Sequence, residues 1–160
     1  MTVPINPFDV VVTELDNKEE IHFLNIEKLT PELESLIDNN ITAISNPDLE
    51  TRKRTRAVLA NFFKNKHINT TMGAVAEFII HLYLNHIGFN QECLFLNLEE
   101  GSIKKGFDGY YSFASEEWIM ESKSGLISTS SISHDNKIDE AYKDLESKIE
   151  GPTANNPWQN

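Results

Sequence analysis

The stretch that decides the fold is GFDGYYSFASEEWIMESK, residues 106–123. Two runs rich in aromatic and apolar residues, Phe107–Phe113 and Glu117–Ser122, are separated by Ala114-Ser115-Glu116, which is short enough for a hairpin turn. Antiparallel pairing through this turn places Asp108, near the start of the first strand, beside the end of the second strand. A β-hairpin is therefore the first predicted element.

Charged residues close the second strand of this hairpin. The two-residue period of a strand puts Glu121 and Lys123 on the same face as Ile119, and the opposite face is also apolar. A strand that is apolar on both faces is normally interior, so two charges at its end need partners. Glycines on both sides of Asp108 permit a close approach of backbone or ligand. The hairpin is thus expected to bring two carboxylates and an amine together.

Apolar periodicity and capping residues predict the elements around the hairpin. Thr30-Pro31 and Asn46-Pro47 each place a capping side chain before a proline suited to the first helical position. We expect further strands at about 8–15, 20–26 and 92–98, and helices at about 31–45, 47–66, 70–86 and 135–150, the last capped by Asp135 and stopped by Gly151-Pro152. The predicted fold class is α/β, with a mixed central sheet flanked by helices.

Two of these helices have informative faces. The helix over 70–86 is apolar around most of its circumference but carries Glu77, His81 and Asn85 at four-residue spacing. This narrow polar stripe either points towards a functional site or faces solvent, and the helical pattern alone favours neither. The last helix carries an apolar stripe that we expect to be its buried face: Ile138, Ala141, Tyr142, Leu145 and Ile149.

Composition limits the classes of protein to consider. The 160 residues suit one domain, with 39% apolar and 24% charged residues. The lone cysteine, Cys93, excludes an intrachain disulfide, and no stretch resembles a signal peptide or a membrane span, so we expect a cytoplasmic protein that has no membrane partner. The net charge of −11 suggests an acidic mimic of nucleic acid as a weak alternative, but the acids are dispersed rather than in long runs.

One segment departs from the acidic average. Residues 51–76 contain no acid. They hold six of the 14 basic residues: Arg52, Lys53, Arg54, Arg56, Lys64 and Lys66. This basic segment is a candidate nucleic-acid contact, because phosphate affinity comes largely from lysine and arginine. An ordinary solvated helix face explains the pattern equally well.

An acid-x-Lys tripeptide occurs four times, and its position decides its meaning. Three copies, which begin at Asp16, Asp135 and Glu146, lie in a turn or in a helix, where solvated surface charge is the ordinary explanation. The copy at Glu121-Ser122-Lys123 ends a hydrophobic strand. Carboxylates there could hold a divalent metal for phosphodiester hydrolysis, with the lysine beside the attacking water. The alternative is a structural ion pair beside a hairpin, and we favour the catalytic interpretation.

Together these residues resemble the PD-(D/E)xK nuclease superfamily: a helix that bears Glu77, then Asp108, then Glu121-Ser122-Lys123, then a helix. The resemblance covers about residues 70–151, roughly half of the chain. Within the superfamily, Gly73-Ala74-Val75-Ala76-Glu77 and Lys105-Gly106-Phe107-Asp108-Gly109 are most similar to the HamA-type nuclease subunit of Hachiman anti-phage systems, which works with a helicase partner.

The resemblance implies a restriction-endonuclease-like core and an endonuclease that uses Mg²⁺, or Mn²⁺, to cut DNA or RNA in prokaryotic defence. Asp108 and Glu121 would be the principal metal ligands, assisted by the Ser122 carbonyl and by Glu77, directly or through water. Lys123 would position the nucleophile and offset charge in the transition state. From another class, the alternative is a noncatalytic protein-interaction module of a defence complex.

The resulting domain organisation has three parts. Residues 1–68 form N-terminal strands and helices with the basic segment at 52–66, and residues 69–151 form the nuclease core. The tail, 152–160, contains Asn156-Pro157, a pattern typical of the start of a helix, so we expect it to begin a C-terminal part that is truncated here.

Overall fold

The computed structural model describes residues 7–16, 19–64, 66–97, 102–103 and 107–150. The chain divides into two compact units, residues 1–40 and 41–160. The predicted tail and the Gly151-Pro152 helix stop lie outside the described residues. Within the described part, no helix is long and apolar enough to cross a membrane.

The first unit contains the predicted N-terminal hairpin. Strands β1 (Asp9–Asp16) and β2 (Glu19–Asn25) pair antiparallel, and an irregularity in register lies between Glu14 and Asp16. Helix α1 (Pro31–Ser45) begins where the Thr30-Pro31 pattern predicts, and the Thr30 hydroxyl accepts a hydrogen bond from the Leu33 N–H at 3.2 Å. The hairpin and this helix are both confirmed.

The second unit begins within α1, at Ile41, and contains three further helices: α2 (Arg52–Lys64), α3 (Ile68–His86) and α4 (His134–Glu150). The single helix predicted from Pro47 to Lys66 is wrong. Pro47–Leu49 forms one 3₁₀ turn, after which Glu50 adopts a left-handed conformation with φ of 62° and interrupts the helix. The Thr51 hydroxyl then accepts from the Arg54 N–H at 3.3 Å and caps α2 as a separate helix.

The sheets are smaller than the predicted central sheet, and the described strand pairs are all antiparallel. Strands β3 (Asn90–Gln91), β6 (Gly109–Phe113) and β7 (Glu116–Met120) form a sheet in the order β3-β6-β7, and β4 (Leu96–Asn97) pairs with β5 (Ser102–Ile103). The α/β composition is confirmed, but three small antiparallel sheets stand in place of one mixed sheet over the described residues.

The strand predicted over 92–98 is interrupted because nearby polar groups bond elsewhere. The Gln91 side chain donates to the Ile44 carbonyl at 3.1 Å and to the Cys93 carbonyl at 2.7 Å. The Phe95 N–H also donates to the Ile44 carbonyl, at 3.3 Å. These bonds tie the segment to the end of α1, so a continuous β-ladder does not form.

The β6–β7 hairpin has its turn where predicted, although Glu116 belongs to β7 rather than to the turn, and both strands are shorter than predicted because β6 begins at Gly109 instead of Phe107 and β7 ends at Met120. Ala114 and Ser115 both have positive φ, 47° and 70°, as in the two-residue turns that match the twist of paired strands. The last pair of the ladder is Gly109 with Met120, so the strand ends two residues earlier than predicted. A Cβ at Gly109 would lie 2.7 Å from Cε2 of the buried Tyr111 ring and 3.1 Å from Met120 Cβ, which explains the glycine.

Helix α4 differs from its prediction in its cap and in its buried face. The Ser133 hydroxyl, rather than the side chain of Asp135, accepts the hydrogen bond at the N-terminus, from the Asn136 N–H at 3.1 Å. The apolar stripe is largely exposed: Ile138 keeps 63%, Tyr142 66% and Ile149 58% of its accessible surface. The expectation that this stripe is the buried face is therefore wrong.

Candidate functional site

Asp108 and Ser122 join the two strands of the hairpin just beyond their last backbone pair. The Ser122 N–H and the Ser122 hydroxyl both donate to Asp108 Oδ2, each at 2.7 Å. The carboxylate thus takes the place of a backbone carbonyl and ends the ladder. Asp108 Oδ1 is not engaged by Ser122. The predicted proximity of Asp108 to the Glu121–Lys123 segment is confirmed.

Glu121 is nearly buried and is neutralised by two lysines. Its side chain is 4% exposed. Lys123 Nζ donates to Oε1 at 2.8 Å, and Lys148 Nζ, from α4, donates to Oε2 at 2.5 Å. An ion pair of Glu121 with Lys123, as in the structural alternative to a catalytic site, is therefore present, and a second ammonium group lies on the other oxygen.

Lys123 also donates to Asp144, so α4 contributes two charges to the site. Burial alone would lower the pKa of Lys123, but its hydrogen bonds to Asp144 and Glu121 outweigh this effect and raise the pKa above its ordinary value. The hydrogen bond from Lys123 lowers the pKa of Asp144. Lys148, Glu121, Lys123 and Asp144 therefore form a charge row, an alternating line of cations and anions. Its ends lie one turn apart on α4.

The polar stripe of α3 faces the interior. Glu77 is 6% exposed and His81 is fully buried, so the solvent-facing alternative is wrong for these two residues. His81 Nδ1 is hydrogen-bonded to the Tyr111 hydroxyl, and the His81 and Phe95 rings meet edge to face with centroids 5.7 Å apart. His81 Nε2 lies 3.8 Å from Glu77 Oε1, an ion-pair distance that is too long for a hydrogen bond.

Burial and two neighbouring carboxylates disfavour the charged form of Glu77. Burial raises the pKa of Glu77, the negative charges of Asp108 and Glu121 raise it further, and His81 partly opposes them. Glu77 Oε1 is buried and has no hydrogen-bond partner among the described residues. A buried carboxylate without such partners is usually neutralised by protonation or by a bound cation.

The side chains are of the kind that bind a hard divalent cation, but in this structure they are too far apart to bind one together. The carboxylates of Glu77, Asp108 and Glu121 supply the oxygen ligands that Mg²⁺ prefers, and Glu77 Oε1, which has no hydrogen-bond partner among the described residues, is available as a ligand. Within the described part of the chain, however, no three side chains of His, Cys, Asp or Glu are grouped closely enough to hold a metal. Because lysines occupy both Glu121 oxygens, metal binding requires a rearrangement there.

The basic segment begins on α2. Thr55 and Leu59 are the buried residues of this helix, and Arg52, Lys53, Arg54 and Arg56 are exposed around its first turns. Lys64 ends the helix, and Lys66 Nζ lies 4.8 Å from the centroid of the Phe62 ring. The segment is thus an exposed basic surface, and its contact with nucleic acid stays a prediction.

Sequence reasoning missed the contribution of α4. Lys148 belongs to the tripeptide Glu146-Ser147-Lys148, which we predicted to be solvated surface charge, but Lys148 binds Glu121. Asp144 was not predicted as a site residue either. The available signal was an acid and a lysine four residues apart, on a helix that follows the acid-x-Lys strand.

A comparison with protein-family models identifies the relatives of this chain. The HamA family model matches residues 6–157. The chain belongs to the HamA family. This membership confirms the resemblance to HamA and places the chain with Hachiman-type defence proteins. Searches of curated proteins and of solved structures found no significant match to this HamA-family chain.

Proposed function

We propose that this HamA-family chain is a metal-dependent endonuclease of the PD-(D/E)xK kind. The observation that carries the proposal is the convergence of three acids. Glu77 lies on α3, Asp108 just before β6 and Glu121 just after β7, and the charges of Asp108 and Glu121 both act on Glu77. Burial raises the pKa of Glu77, and a buried carboxylate with a raised pKa beside other acids is a candidate for a functional site.

In this proposal each residue has a separate role. Asp108 and Glu121 bind Mg²⁺ or Mn²⁺ with Glu77, and the Ser122 carbonyl assists. When bound, the ion activates water and offsets charge on the phosphoryl oxygens. Lys123 is held as an ammonium by Glu121 and Asp144, and it orients the attacking water and stabilises negative charge in the transition state. The Ser122 bonds to Asp108 fix the orientation of that carboxylate.

The proposal extends to the fold, the substrate and the partner. We assign the β6–β7 hairpin with α3 and α4 to a restriction-endonuclease-like core. The exposed basic residues at the start of α2 bind the phosphates of DNA or RNA. A helicase partner follows from the HamA resemblance and is part of the same proposal.

Cleavage assays with purified protein test the activity. Labelled single- and double-stranded DNA and RNA should be cut in Mg²⁺ or Mn²⁺, alone or with a helicase encoded beside the gene. Lys123→Ala should lose activity by roughly 10²-fold or more, as is usual when a group that stabilises transition-state charge is removed. Lys137→Ala, which removes a paired lysine from α4, is the matched control. Cleavage that persists in excess EDTA would overturn the mechanism.

A noncatalytic interaction module is the second candidate, and one observation favours it. The apolar stripe of α4 at Ile138, Tyr142 and Ile149 is exposed, as expected of a helix that docks on a partner. Asp108→Ala separates the two functions. If the chain is a nuclease, the variant loses cleavage activity. If the chain is an interaction module, the variant still binds the partner, and the unmodified chain shows no cleavage activity.

A further inference from the structure

Lys148 lies outside the Glu121-Ser122-Lys123 motif, yet it binds the acid of that motif. Its Nζ is 2.5 Å from Glu121 Oε2 and 5.8 Å from the centroid of the Phe107 ring. Glu121 is one of the two principal metal ligands in the proposed function. A lysine on this oxygen occupies a position that a metal ion bound by Glu121 needs.

Electrostatic interactions determine which of the two lysines leaves Glu121 when a metal ion binds. An ammonium and a divalent cation on one carboxylate repel each other strongly, because the interaction energy scales with both charges and inversely with distance. Lys123 is 17% exposed and is held by two carboxylates, Glu121 and Asp144. Lys148 is 28% exposed, and its flexible four-carbon chain can carry the ammonium from Glu121 into solvent.

The orientation of α4 is consistent with a reversible contact. The helix approaches the site through Asp144 and Lys148, while its apolar residues Ile138, Tyr142 and Ile149 stay exposed. The Lys148 ammonium is 28% exposed, whereas the Glu121 side chain is 4% exposed, so loss of the contact leaves a buried carboxylate that needs another cation. A divalent ion bound by Glu121 would supply that charge, and the contact with Lys148 could then break without unfolding of the hairpin.

We propose that Lys148 is a placeholder cation that neutralises Glu121 in the metal-free protein and competes with the divalent metal for this carboxylate. This inference rests on the proposed metal site and adds a regulatory residue to it. Lys148 lowers the affinity of the site for metal and stabilises the metal-free state. Lys123, held by Asp144, keeps its position in both states.

Calorimetric titration of the full chain with Mn²⁺ tests the competition. At low salt, Lys148→Met should bind Mn²⁺ about fivefold more tightly than the unmodified chain, and the difference should shrink as salt rises. Lys148→Gln, which keeps a hydrogen-bond donor without the charge, should bind Mn²⁺ as tightly as Lys148→Met does. It replaces Lys148→Met in the test if Lys148→Met does not fold. Lys148→Arg and the control Lys137→Met should match the unmodified chain.

The outcomes separate this inference from the proposed function. If the unmodified chain binds Mn²⁺ and neither Lys148→Met nor Lys148→Gln binds it more tightly, the placeholder role is wrong and the metal site stands. If only the variants without the charge bind Mn²⁺, competition is supported in its strongest form. If no variant binds Mn²⁺, the metal site and the placeholder role both fail.

Discussion

Glu77 and His81 lie one turn apart on α3, both buried, with Glu77 Oε1 3.8 Å from His81 Nε2. Because this distance is too long for a hydrogen bond, the Glu77 carboxylate is incompletely compensated. The same carboxylate is a proposed metal ligand. The pH dependence of stability can therefore report on the site without any assay of activity.

Replacing Glu77 by Gln should stabilise the metal-free protein at neutral pH. Burial and neighbouring charges raise the folded-state pKa of Glu77, so its favourable contribution is complete below its unfolded pKa of about 4.3 and is lost as pH rises through the folded pKa. In EDTA, the melting temperature of Glu77→Gln should exceed that of the unmodified chain at pH 7, and the two should converge near pH 4.

A control and a second condition complete this test. Glu146→Gln, at an exposed glutamate of α4, should leave the melting temperature almost unchanged. Mg²⁺ should stabilise the unmodified chain more than Glu77→Gln, because ligand binding to the folded state raises its stability. A Glu77→Gln protein less stable than the unmodified chain at pH 7 in EDTA would contradict the electrostatic account.

Removing the Ser122 hydroxyl should weaken the hold on Asp108 without abolishing it. Ser122→Ala loses one of two hydrogen bonds to Asp108 Oδ2 and keeps the backbone N–H bond. We expect the free energy of unfolding in urea to fall by about 1.5–3 kcal/mol, the usual contribution of a hydrogen bond to a charged group. Ser147→Ala, an exposed serine on α4, is the control. Equal stabilities of the two variants would show that the hydroxyl bond contributes nothing.

Replacing Tyr111 by Phe should destabilise the fold, because the buried His81 loses a hydrogen-bond partner. The variant removes the hydroxyl that bonds His81 Nδ1 and leaves that nitrogen buried without its partner. The free energy of unfolding should fall by about 1–3 kcal/mol. Tyr110→Phe, on the other face of β6, should change it less, because Tyr110 is half-exposed. The idea fails if Tyr111→Phe is as stable as Tyr110→Phe.

Removing positive charges at the start of α2 should weaken the binding of nucleic acid, and only contacts with the phosphates should be lost. For Lys53→Ala/Arg54→Ala, affinity should fall by a similar factor for all sequences, and the slope of log K against log salt should decrease by about 2. Fluorescence anisotropy with labelled DNA and RNA measures both quantities. A charge-matched double variant, Lys28→Ala/Lys137→Ala, should bind as the unmodified chain does. Equal losses in the two double variants would assign the effect to net charge rather than to this segment.

Local sequence signals predicted the hairpin and the proximity of Asp108 to the end of its second strand. The short turn at Ala114-Ser115 and the two-residue period fix the register, and the register alone brings Asp108 to Ser122. Glycine on either side of Asp108 indicated the close packing that Gly109 shows against Met120. Such features depend on neighbours in sequence, which is why they can be deduced from one chain.

The contributions of α3 and α4 were harder to predict because they depend on tertiary contacts. The pattern of α3 left the direction of Glu77 open, and only packing with Tyr111 and Phe95 buries the stripe. For α4 the apolar stripe predicted the wrong buried face, since the ion pairs of Asp144 and Lys148 orient the helix towards the site. The left-handed Glu50, which splits the helix predicted from Pro47, likewise has no clear local signal.

Cleavage by Asp108→Asn is the most direct test of the central claim, that the three acids hold a catalytic metal. The substitution keeps the shape of the side chain and an acceptor for Ser122, so the fold should survive and near-native melting should verify it. In single-turnover reactions with Mg²⁺ and labelled DNA or RNA, the unmodified chain should cut at least one substrate, and Asp108→Asn should be slower by roughly 10²-fold or more. A folded Asp108→Asn protein that cuts at the unmodified rate would contradict the account.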